Sequence, residues 1–274
     1  MIPFFRVGIP ENTGALPLAA ERAGLPVMVS ANRFWDDKKK RFRLPGTRIG
    51  RGSYVSQALT DLDIALDSGG FVAMKHYGGF RYTVADYIGL TGAWGWAHCF
   101  AMDLCCEPEL GVHVDERLRG TAKLLLLQRL QVDMWRGQGA VWLRYPVPVI
   151  QGWAPDDYRR SIELTDQVLG GEWPEMVGLG SVCRRGAYAD IAAVIAAVDL
   201  ALPRCVGLHL FGVKGPVLAR LVDHPRLISA DSQAWDYAER RQGPRAGREY
   251  KIGNRAKRLV EFARAHEREV LRGP

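Results

Sequence analysis

Three aspartates, Asp67, Asp103 and Asp231, each stand at the end of a short apolar run, in Ile64-Ala65-Leu66-Asp67, Phe100-Ala101-Met102-Asp103 and Ile228-Ser229-Ala230-Asp231. Gln151 follows Val149-Ile150 in the same way. Carboxylates gathered in one water-poor space repel one another, so at least one of them holds its proton to a higher pH than usual. That divides the labour between a proton carrier and an ionised nucleophile. Asp67 also opens Asp67-Ser68-Gly69-Gly70, and taken alone that is ordinary turn chemistry, with Asp bonding the backbone two residues on and Gly accepting positive φ. Turn former and catalyst are separated only by whether the apolar runs are strands of one sheet.

The pattern of the chain points that way. Apolar runs rich in β-branched residues recur at 26–30, 64–66, 97–102, 147–150, 176–179, 206–210 and 227–230. Helical periodicity lies between them at 55–63, 83–89, 116–136, 155–170, 187–200 and 217–223, and a basic amphipathic helix is expected over 254–271. Alternation of this kind implies a mainly parallel sheet, and seven units approach the eight of a closed (β/α)8 TIM-like barrel. An open, doubly wound sheet is the competing architecture. An eighth strand is expected after Asp231, near 249–252. No repeat or linker divides the chain, so residues 1–274 read as a single α/β domain with a basic helical segment from about 240 to 274. In a barrel the C-terminal strand ends share one mouth, where chemistry is done. Asp67, Asp103, Gln151, the Gly178-Leu179-Gly180-Ser181 turn, the His209-Leu210-Phe211-Gly212 segment and Asp231 then face a common space.

Composition bounds the class. With 274 residues, 47% of them hydrophobic, the chain is long enough for one barrel-sized core. The apolar run from Ile191 to Leu202 is interrupted by Asp199 and falls short of the roughly 20 residues a bilayer-spanning helix needs. The N-terminus lacks the ordered regions of a signal peptide, which leads to the expectation of a cytoplasmic protein without membrane attachment. Five cysteines, at 99, 105, 106, 183 and 205, are odd in number and irregular in spacing, which disfavours both a disulfide framework and a metal knuckle. The net charge of +7 gathers in Lys38-Lys39-Lys40-Arg41-Phe42-Arg43 and between Arg240 and Arg258. Such runs suit a solvated face or a polyanion.

Six segments together resemble the tRNA-guanine transglycosylase superfamily, and within it the 7-deazaguanine DNA-modification transglycosylases of the DpdA type. They are Leu66-Asp67-Ser68-Gly69-Gly70-Phe71, Ala101-Met102-Asp103, Val149-Ile150-Gln151-Gly152, Val177-Gly178-Leu179-Gly180-Ser181-Val182, Leu208-His209-Leu210-Phe211-Gly212-Val213 and Ser229-Ala230-Asp231-Ser232. The resemblance implies base exchange at a glycosidic bond, with no cofactor. Asp231 is the expected nucleophile toward C1′ of a target guanosine and Asp67 the general acid/base. Asp103 and Gln151 are expected to read the base edge, Gly180 and Ser181 to line the pocket with backbone, and Phe71 to stack on the base. Arg184, Arg185, Arg240, Arg241, Arg245, Arg248 and Lys251 are expected to hold phosphates. DNA is the expected macromolecular partner and a 7-deazaguanine base the co-substrate; a homodimer and helper proteins stay open.

The tRNA-modifying relatives carry a zinc site of three Cys and one His after the nucleophile. Here the last cysteine is Cys205, ahead of Asp231, so no metal is expected, and the balance tips from tRNA towards DNA. The alternatives are a tRNA-guanine transglycosylase, a non-catalytic nucleic-acid-binding subunit, which has no need of both Asp67 and Asp231, and a carbohydrate hydrolase, for which the basic runs serve no purpose. His209 reads first as a core histidine, Asp236 as a cap or ion-pair partner, and Cys105 and Cys106 as buried thiols.

Overall fold

The computed structural model describes residues 4–272 apart from 45, 47, 51–52, 55–57, 60–61, 112, 184, 186, 214 and 243–251. Eight short strands form one parallel sheet: β1 (Phe4–Ile9), β2 (Val27–Ser30), β3 (Ile64–Asp67), β4 (His98–Cys99), β5 (Val149–Ile150), β6 (Met176–Leu179), β7 (Gly207–Leu210) and β8 (Leu227–Ser232). Their side chains are buried on both faces, as parallel strands covered by helices must be. Each strand pairs with its neighbours in chain order, and β8 returns to β1 with Arg6 opposite Asp231. The remaining edges, β4 and β5, meet through a parallel bridge between Phe100 and Val147. There the Val147 amide donates to the Cys99 carbonyl at 2.7 Å and the Ala101 amide to the Val147 carbonyl at 2.8 Å. The eight strands therefore close into a ring, and the open-sheet alternative falls.

Helices follow the strands as an outer layer: α1 (Ala15–Arg22) after β1, α2 (Gly70–Tyr77) and α3 (Val84–Gly92) after β3, and α4 (Val114–Gly137) after β4. Then come α5 (Pro155–Leu169), α6 (Tyr188–Ala201) and α7 (Gly215–Leu221), one after each of the next strands. α8 (Ala234–Gln242) and α9 (Ile252–Arg272) end the chain, and α9 packs on α1 and β1, covering the last side of the barrel. The link from β2 to β3 carries the hairpin Trp35–Asp36 with Arg41–Phe42. No helix among the described residues is long and apolar enough to cross a membrane.

One expected strand lies elsewhere. The eighth strand is not near 249–252, where 249–251 fall outside the described residues and Ile252 begins α9; it is Phe4–Ile9 at the other end of the chain. Arg6 and Gly8 interrupt that apolar run, which hides it from a hydrophobicity reading. The fold tolerates Arg6 at 3% exposure because its guanidinium binds the Asp63 carboxylate at 2.8 Å and the Asp63 carbonyl at 3.1 Å. The helix expected over 55–63 falls largely on residues outside the described ones, with 58–59 in a single 3-10 turn. The helix α2 directly after Asp67 was legible only as its opening turn.

Two apolar layers result. The larger lies between sheet and helices. The smaller fills the barrel with Met28, Ala65, Phe100, Val149 and Met176, against which Val147, Phe211 and Ile228 pack. Successive strand residues point to opposite faces, so residues two positions beyond this plug point inward again, at the mouth. Met28 leads to Ser30, Ala65 to Asp67 and Val149 to Gln151; inward-facing Ser229 leads in the same way to Asp231. The period of two thus lifts the polar residues onto an apolar floor.

Candidate active site

A cavity of about 190 Å³ opens at the C-terminal ends of the strands. This is smaller than the roughly 300–1,000 Å³ that receives drug-sized ligands. Asp67, Asp103, Gln151, Gly180, Ser181, Phe71 and Asp231 all line it, so the seven residues expected to act on the base or the sugar come together. Glu107, Cys105, Cys183, Phe211 and Gly212 complete much of the wall.

Asp67 ends β3, and its loop is built around glycine. Gly69 has φ of 76°, in the left-handed region, and its carbonyl accepts from Asn32 Nδ2 at 2.9 Å. The next residue opens α2, so the Asp-Ser-Gly-Gly segment is at once a turn and a site. Burial pushes the Asp67 carboxyl up to about 7; the nearby charges of Asp103 and Asp231 add to the rise, while the Gly69 amide and the Ser30 hydroxyl hydrogen-bond to the carboxylate and oppose it. Tyr82 donates its hydroxyl to the Ser68 carbonyl and pins the turn from behind.

Asp231 is held differently. The Gly212 amide donates to its Oδ1 at 3.0 Å, and His209 Nε2 reaches the same oxygen at 3.3 Å. His209 is fully buried, tilted against Phe100 and edge-on to Phe211 with centroids 4.6 and 4.7 Å away, and its Nδ1 lies 2.8 Å from Ser229 Oγ. Burial lowers its pKa and so favours the neutral ring, while the hydrogen bond and charge of Asp231 oppose that shift. Both contacts fall on Oδ1, and Oδ2 carries neither.

The third group is a polar chain across the floor. Ser68 Oγ donates to Asp103 Oδ1 at 2.8 Å, Gln151 Nε2 donates to Asp103 Oδ2, and Ser181 Oγ lies 2.7 Å from Gln151 Oε1. Ser181 Oγ also lies 3.0 Å from Glu107 Oε2. Burial raises the Asp103 carboxyl to about 6, with the charge of Glu107 adding to the rise, while the hydrogen bonds from Ser68 and Gln151 hold it down. Ser181 has φ of 53°, a conformation rarely taken by residues other than glycine and one that marks stored strain. A Cβ on Gly180 would run into the Gln151 amide, so glycine there is needed for close approach. Asp103 and Gln151 thus place a carboxylate and a carboxamide side by side in the cavity.

The expected phosphate ligands are not assembled in this way. Arg185 lies beside the mouth, but its guanidinium rests 4.4 Å above the Trp153 ring and binds the Trp153 and Ser181 carbonyls, bracing the Ser181 turn from outside. Arg240 pairs with Asp236 at 2.7 Å along α8. Arg184, Arg245, Arg248 and Lys251 lie outside the described residues, as does the side chain of Arg241. Asp236 is fully buried and also pairs with Arg255 at 3.0 Å, an ion-pair partner as expected. The sequence reading missed Ser68 and Glu107, and it placed His209 in the core without its bond to Asp231. The signal for Glu107 was its position four residues beyond Asp103 in the same strand-end loop.

A closed (β/α)8 barrel with ionisable residues converging at its C-terminal mouth defines the class, an enzyme-type barrel. Within that class the chain belongs to the family described as DpdA: DeoxyPurine in DNA protein A, which matches residues 21–270. Membership supports 7-deazaguanine transglycosylation of DNA as the general activity and DNA as the substrate class. A search of curated proteins gives no match.

Proposed function

We propose that the protein exchanges guanine in DNA for a 7-deazaguanine, such as 7-cyano-7-deazaguanine, through a covalent intermediate on Asp231. The observation that carries the reading is the unequal handling of two carboxylates in one cavity. Asp67 is held near half-protonation at neutral pH, whereas Asp231 is oriented by an amide and an imidazole. In the forward step Asp231 Oδ2 attacks C1′, the C1′–N9 electron pair leaves with guanine, and protonated Asp67 donates to the departing base. In the second step ionised Asp67 takes the N9 proton of the incoming base, whose N9 attacks C1′ and releases the Asp231 carboxylate. A group that must be acid in one half and base in the other works best with a pKa near the working pH, and a value of about 7 meets that requirement.

Asp103 accepts from the N1–H and exocyclic amine, and Gln151 donates to the base oxygen. Phe71 and Phe211 flank the cavity as stacking faces. The target nucleotide leaves its stack to reach the mouth, at a cost of a few kcal/mol. Phosphates are met on the mouth side by the basic hairpin that follows β2, where Lys38, Lys39, Lys40 and Arg41 are all exposed.

The test is transfer of radiolabelled guanine or 7-cyano-7-deazaguanine into DNA and, in parallel, into unmodified tRNA, with Asp231→Ala alongside. Label enters DNA and the variant loses it by a factor of at least about 10³. Label in tRNA alone would overturn the substrate, and full activity of the variant would overturn the nucleophile.

A further inference from the structure

The polar chain on the cavity floor holds one proton too few for its acceptors. Ser181 Oγ faces Gln151 Oε1 at 2.7 Å and Glu107 Oε2 at 3.0 Å, and it receives the Cys106 amide at 3.0 Å. A hydroxyl has one proton to give, and both of those neighbours are oxygens that accept. Gln151 cannot solve the conflict by turning over, because its Nε2 is engaged with Asp103 Oδ2 and a flip would bring an acceptor against a carboxylate. With Asp103 ionised, the chain is satisfied when one of the two oxygens facing Ser181 carries a hydrogen, and of the two only the Glu107 carboxyl can.

We propose that Glu107 is a positioning residue for base recognition: it is held as the neutral acid, donates to Ser181, and so leaves the Ser181 proton for Gln151 Oε1, fixing the amide that Asp103 and the base both use. The surroundings agree. Glu107 is 1% exposed, and burial raises its pKa with the charge of Glu109 adding to the rise, while hydrogen bonds from its own backbone, Ser181 and Cys105 oppose it. The other titratable groups around it are Asp103 and Cys106 from its own loop and Cys183 of the β6 turn, whose Sγ lies 3.9 Å from Oε1. Tyr158 and Asp157 of α5, Arg117 of α4 and Arg185 lie further out and also act on this cluster. When Glu107 ionises, its carboxylate competes for the Ser181 proton, Gln151 Oε1 loses its donor, and the recognition fork loosens.

This inference rests on the reading of Asp103 and Gln151 as the base-binding pair, and two measurements separate the two ideas. The first is the difference infrared spectrum between wild type and Glu107→Gln at neutral pH, which shows whether Glu107 contributes a protonated carboxyl band. The second is KM and kcat for guanine exchange from pH 6 to 9 in wild type, Glu107→Gln and Glu107→Ala. The glutamine amide donates permanently to Ser181, so Glu107→Gln keeps KM within about threefold of wild type at pH 7 and abolishes the alkaline rise in KM. Glu107→Ala leaves the pair unsupported and raises KM about ten- to a hundredfold with a smaller change in kcat. Absence of the band, or a glutamine variant as impaired as the alanine one, overturns the inference. If wild type shows the band but exchanges no base into DNA or tRNA, Glu107 stands as a buried neutral acid and the functional reading fails instead.

Discussion

At the scale of single residues, what distinguishes the three aspartates is their surroundings, since the side chains are chemically identical. Asp67 lies in a pocket whose burial and neighbouring charges favour the neutral form, and the folded chain holds its carboxyl at about 7, against an ordinary value of 3.8. Raising the pH from 4 to 7 therefore strips the proton from the unfolded chain first, and the native state loses stability across that window. Three units correspond to at most about 4 kcal/mol at pH 8, and Asp103, raised to about 6, adds a smaller penalty of the same sign. Asp67→Asn removes the titration. It is expected to make the protein more stable than wild type above pH 7, with the gain vanishing near pH 4, while kcat falls by about 10²–10⁴. Denaturant unfolding across that pH range checks the first part and label transfer the second; a gain that grows toward acid pH would refute the assignment. That the residue which costs the fold most is the one expected to carry the proton is the usual trade between stability and function.

At the scale of elements, the site is a product of the strand period. The apolar runs were legible because parallel strands are buried on both faces, and the polar residues closing them were legible as strand ends; this is how Asp67, Asp103, Gln151 and Asp231 could be named before the fold was known. What was not legible depends on partners distant in the chain. β1 hides behind Arg6, whose burial makes sense only beside Asp63. Glu107 is an ordinary loop glutamate until Ser181, from another strand end, is placed against it. The role of Gly180 is of the same kind, since a methyl group there collides with Gln151, a residue of the neighbouring strand end. Gly180→Ala is therefore expected to displace the Gln151 amide and raise KM for the base by about tenfold. The added methyl meets the Gln151 side chain first, so thermal unfolding should fall by no more than a few degrees. A variant with unchanged KM would show that Gln151 does not need its present position.

At the scale of the whole molecule, a cavity of about 190 Å³ is too small to provide the affinity for the polymer of the proposed reaction, which has to come from charge outside it. The net charge of +7 is not spread evenly. Much of the described basic charge on α8 and α9 is taken up internally, as where Arg255 holds Asp236 and Glu11 and Arg258 holds Glu239 and Glu261. By contrast, Lys38, Lys39 and Arg41 project from the hairpin that leaves the mouth end of β2, and Arg43, just beyond its second strand, anchors it by pairing with Asp36 at 3.0 Å. Hairpin and pocket share one side of the barrel because Ser30, the last residue of β2, lines the cavity. A backbone threading past the hairpin would present a flipped base to Asp103 and Gln151 while its phosphates stay outside. Each phosphate contact contributes about 0.7–0.9 to the slope of log affinity against log salt. Reversing Lys38, Lys39 and Arg41 to Glu is therefore expected to lower that slope by about two to three and to raise KM for DNA, with KM for the free base unchanged. Binding titrations at several salt concentrations measure the slope, and an unaltered slope would place the polymer on another face of the barrel.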